Sequence, residues 1–76
     1  METVTIKYKL LNSPKDLGQR TYSDTNYPTI PVKGSTIMIK DELYTVDTVV
    51  YKTLSIGQTL ITIFLTEKGY VGNYAI

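Results

Sequence analysis

Asp41 and Glu42, adjacent in the chain, are the nearest this sequence comes to a constellation that could do chemistry. Paired carboxylates can hold a divalent cation or share a proton. Neighbours along an extended chain point to opposite sides, however, and Lys40-Asp41-Glu42 reads as a solvated polar turn. Asp16, Asp24 and Asp47 are scattered, with no spacing that suggests a dyad. The chain contains no His and no Cys. Ser–His and Cys–His nucleophile pairs, an imidazole base near neutral pH and the common zinc sets are therefore all excluded. Gly34, Gly57, Gly69 and Gly72 stand singly, so no glycine-rich loop can cradle a phosphate. The sequence predicts a protein that is not an enzyme and uses no cofactor or metal.

Binding chemistry is what remains, and two sets of residues offer it. The first is apolar: Val49, Tyr51, Leu60 and Phe64 fall on the side of a long hairpin that should face solvent. Tyr27 and Ile30 join them from Tyr27-Pro28-Thr29-Ile30-Pro31, a stiff aromatic–proline loop that can bind at little ordering cost. Tyrosine suits such a surface because its large rigid body ends in a polar tip. The second set is basic and aromatic. Lys7 and Lys9 share the outer face of the first strand, where Arg20 and Tyr22 can lie beside them and serve a single-stranded nucleic acid. The charge balance favours the first set. Eight basic and seven acidic side chains give a net charge of +1, whereas nucleic-acid binders usually carry a clear basic excess.

The elements that must position these residues are strands. Thr, Val and Ile dominate, and Ala occurs only at Ala75. Val4, Ile6, Tyr8 and Leu10 alternate with Thr5, Lys7 and Lys9, which predicts a half-buried strand over 3–11. A turn at 12–18 leads to a return strand at 19–23 with Tyr22 inward, and 24–33 reads as loop. Strands follow at 36–39, 43–52 and 59–66, with a loop at 53–58. Glu67-Lys68-Gly69 reads as a turn into a last strand at 70–74. Closed symmetrically, the long hairpin sets Val50 opposite Ile61, Thr48 opposite Ile63 and Val46 opposite Leu65 on the core face. The other face then pairs Tyr51 with Leu60, Val49 with Thr62 and Asp47 with Phe64. That ribbon is too apolar on its outer side. The segment 12–33 can cover it, a bulge near Val49 can rotate the strand inward, or a partner can bury it.

The run Pro31-Val32-Lys33-Gly34-Ser35-Thr36-Ile37-Met38-Ile39, followed by Leu43-Tyr44-Thr45-Val46, resembles small SH3-like barrels of bacteria and their phages. The resemblance covers residues 30–66 and implies a barrel architecture without assigning binding residues. Gly34 is followed by Ser where many such barrels carry an acid. The expected fold is all-β, a single small SH3-like or related barrel of five to six antiparallel strands over residues 1–76. By analogy, a phage or prophage protein that inhibits a host factor fits this description. Chains this short bury only about 60% of their unfolded surface, and disulfides are excluded here, so economical packing or self-association is the remaining support. The partner is then another protein or a second copy, with a nucleic acid or nucleotide as the alternative and a structural subunit of an assembly as a third reading. No run of 20 apolar residues occurs, and the expected setting is the cytoplasm, with no membrane involvement.

Overall fold

The computed structural model describes residues 2–13, 15–23 and 26–70, the last three through their backbone alone. Five strands build it: β1 (Thr3–Leu10), β2 (Asp16–Ser23), β3 (Thr36–Ile39), β4 (Glu42–Ser55) and β5 (Gln58–Tyr70). They form one sheet in the order β2-β1-β5-β4-β3, curled into a nearly closed barrel. The all-β expectation is met. One feature of it is corrected: β1 pairs with β5 in parallel, while the other three pairings are antiparallel. Alternation of side chains cannot distinguish the two directions, because both ladders repeat every two residues. No helix among the described residues is long and apolar enough to cross a membrane.

The core lies on one face. Val4 and Ile6 from β1, Tyr44 and Val46 from β4, and Ile61, Ile63 and Leu65 from β5 are buried there. Tyr8, Leu17, Tyr22, Ile30, Ile37 and Val49 pack around them, half-buried. Every strand thus contributes apolar residues to this face, as a small barrel requires.

Four local expectations are corrected. Strand β2 begins at Asp16, because the ladder skips Leu17 between Tyr8↔Gly18 and Lys9↔Asp16 and so continues through the presumed turn. The loop foreseen at 53–58 shrinks to Ile56-Gly57, closed by Ser55↔Gln58, with Gly57 at φ 80°. A positive φ at that position is cheap only for glycine. Glu67-Lys68-Gly69 is not a turn. Strand β5 passes through it, since Leu43 pairs with Gly69 and Tyr44 with Glu67, leaving Lys68 as the extra residue. Of the last strand foreseen at 70–74, residues 71–74 lie outside the described residues. Finally, the long hairpin is not symmetric. Val46↔Leu65 holds, but the next pair is Thr48↔Phe64, so Asp47 is an inserted residue. Beyond it, Val49 faces Ile63, Val50 faces Thr62 and Tyr51 faces Ile61. Val50, expected in the core, is exposed.

Strands β3 and β4 are joined by Lys40 and Asp41, both at positive φ (49° and 68°), with Ile39↔Glu42 closing the hairpin. Two positive φ values define the turn whose twist matches the flanking strands, and Asn-Gly is its preferred occupant. Lys40→Asn combined with Asp41→Gly should therefore raise stability by about 1 kcal/mol, checked by thermal denaturation. Removing buried volume should act in the opposite direction. Ile63→Ala is expected to cost about 2–5 kcal/mol, whereas Ile56→Ala, at a fully exposed position, should leave the denaturation midpoint in place.

Alkaline pH should also destabilise the fold. The buried Tyr44 hydroxyl donates to Glu42 Oε2 at 3.2 Å. Burial first, then the Glu42 charge and this hydrogen bond, then Glu67, push the Tyr44 phenol above its ordinary 10.0. Burial, then the neighbouring Tyr22 phenol, does the same to Tyr8. Both groups favour their neutral form in the fold, so their contribution is complete below pH 10.0 and is lost as pH rises through the raised values. Urea titrations between pH 8 and 11 should show stability falling above about pH 10, and Tyr44→Phe should flatten that fall.

Candidate functional site

The β4–β5 hairpin is longer than the strand beside β4. Strand β3 accompanies β4 only along Glu42–Thr45. Two further bonds, Gly34 N–H to Val46 O and Val46 N–H to Ser35 O, both 2.8 Å, carry the contact one residue on. From Asp47 to Ser55 no strand among the described residues lies along that edge of β4. The other side of the hairpin is covered to its tip. Strand β1 runs beside β5 as far as Gln58, and Thr3 N–H donates to Gly57 O at 2.7 Å. Of the hairpin's two edges, the distal part of β4 is the one without a paired strand among the described residues, and it exposes apolar side chains toward its tip: Tyr51 is 62% exposed, Leu54 53% and Ile56 103%.

The inserted Asp47 shapes what stands beside this edge. By shifting the alternation one step, it turns Val49 and Tyr51 to the same face as Ile63 and Ile61. Val49 then packs against the core, while Tyr51 stays 62% exposed. Across from them runs the loop ahead of β3, fixed by Pro31 and by the turn in which Ser35 N–H donates to Val32 O at 3.1 Å. Gly34, at φ 92°, allows that turn. Ile30, Val32, Val49 and Tyr51 together line an open cavity of about 450 Å³, with Lys33 and Asp47 also on its wall. Asp47 Oδ2 already accepts a 2.7 Å bond from Thr48 Oγ1. The arrangement can grip an apolar side chain beside an extended backbone.

Three of the six apolar residues singled out in the sequence, Ile30, Val49 and Tyr51, thus come together. Leu60 and Phe64 do not join them. They lie on the outer face, half-buried, where Leu60 stands between Thr5 and Lys52 and Phe64 between Lys9 and Thr48. Long lysine stems can shield such residues while their heads stay in water. Tyr27 is exposed in its loop, outside the cavity. The basic set is divided between two faces. Lys7 and Lys9 are on the outer face with Asp16, at 3.8 and 3.9 Å. Arg20 and Tyr22 pair with Ile6 and Val4 and share the inner face, the guanidinium 5.5 Å from the Tyr22 ring. Leu54, Ile56 and Val32 were missed. Their signal was apolar type within stretches that read as loop.

The chain matches no family model, no curated protein and no solved structure. Function must be argued from the surface itself. The asymmetry across Asp47 can be checked by mutation: Val49→Asp should cost about 1–3 kcal/mol in urea denaturation, and Tyr51→Asp should cost little.

Proposed function

We propose that this chain is a non-enzymatic protein-binding module that captures an extended segment of its partner along the free edge of β4. What supports the reading is the stretch from Asp47 to Ser55, whose outer edge has no paired strand among the described residues and which exposes Val50, Tyr51 and Leu54. Edge strands in stable monomers are usually short, charged, bulged away or covered, because their open N–H and C=O groups recruit other chains. Here the edge is long, running from the bulge at Asp47 to the one at Leu54, and its charged side chains are Asp47 and Lys52. An added strand would satisfy those backbone groups. Tyr51 and the cavity beside Ile30 would receive one of its side chains, a mode that takes affinity from the backbone and specificity from the pocket.

Nucleic-acid binding fits less well. Lys7 and Lys9 face away from Arg20 and Tyr22, so no single strand can use all four, and Asp16 offsets the lysines. Affinity chromatography on the immobilised chain tests the two readings together. A protein retained by the wild type should survive raised salt and be lost with the double variant Tyr51→Lys, Leu54→Lys, whose circular dichroism should be unchanged. Equal retention by both chains, or recovery of nucleic acid that salt releases, would refute strand capture.

A further inference from the structure

The barrel has a seam. Strands β2 and β3 are the two ends of the sheet, and between them runs a groove of about 480 Å³. This is within the range of small-molecule sites. Its apolar wall is made by Tyr8 and Tyr22 on one side and Ile37 and Ile39 on the other, with Pro28 and Pro31 contributing from the loop. The groove lies apart from the β4 edge. Pro31 is common to both, but the hairpin residues are not.

One charged side chain lines this groove, Arg20. Its guanidinium rests over the Tyr22 ring, and no carboxylate pairs with it among the described residues. The nearest acid on its own strand, Asp16, is engaged with Lys7 and Lys9 on the opposite face. Gly18, also in the wall, has open space where a side chain would begin, so the approach beside Arg20 is clear. A cation held at the rim of an apolar trough by an aromatic ring is suited to one negative charge on a greasy body. A guanidinium offers a planar fork of donors that matches a carboxylate.

We propose that the seam binds a small carboxylate with an apolar body, its acid group on Arg20 and its tail against Ile37 and Ile39. A phosphate ester with two charges is a poorer fit, since no second cation lines the groove.

Titration of the full chain by methyl NMR, with decanoate, 1-decanol and adenosine monophosphate as probes below micelle-forming concentrations, tests this. Decanoate should bind saturably at one site and shift the Ile37 and Ile39 methyls. Arg20→Gln, at an exposed position, should weaken decanoate about tenfold and leave decanol unchanged. Failure of decanoate to saturate, shifts confined to Ile56 and Leu54, equal affinity for Arg20→Gln, or tighter binding of adenosine monophosphate would each overturn the proposal.

Discussion

Burial of the inner face of β5 holds this molecule together. Ile61, Ile63 and Leu65 are 2%, 0% and 0% exposed, and no other strand supplies three fully enclosed side chains. Each is worth roughly 1.5–3 kcal/mol relative to exposure. They are enclosed because β5 has a neighbour on both sides, β1 in parallel and β4 antiparallel, and both neighbours turn their own apolar residues to the same face. A chain of this length has little else to draw on, with no disulfide and seven buried core residues among those described. The parallel pairing follows from this demand. It places Ile6 beside Ile61 and Tyr8 beside Ile63, so the N-terminal strand completes the wall that β4 begins.

The inserted Asp47 serves the same burial and sets the surface as well. Without it, Val49 would face solvent and Val50 would face Ile61. With it, Val49 adds to the core and the distal hairpin presents Tyr51 on the inner side, 62% exposed. A local gain in packing thus leaves an aromatic residue and an open strand edge at the periphery. The exposed surface around Tyr51 is a consequence of how a thin core is filled.

Strand class was legible because apolar and polar residues alternate cleanly in β1 and because branched and aromatic residues crowd β3 and the long hairpin, whose positions could be read from that composition. The register of the hairpin was not. Its two faces are almost equally apolar, so the alternation that usually fixes register carried little information, and a one-residue slip exchanges the faces. Tyr51, Val49 and Ile30 were found as an apolar surplus, but their association depended on that slip. Leu60 and Phe64 looked like equal members of the same surface, and only the flanking strands show that lysine and threonine side chains border them. Turn residues misled in the other direction. Ser55 and the Glu67–Gly69 run have turn composition, yet both lie within strands, because pairing with a neighbour outweighs local preference.

Cross-strand NOEs in the hairpin of the free protein test the central claim most directly. The slip at Asp47 predicts backbone contacts between Val49 and Ile63 and between Tyr51 and Ile61. Contacts from Val49 to Thr62 and from Tyr51 to Leu60 would instead show a regular ladder, and neither the filled core nor the exposed edge could then have the form described.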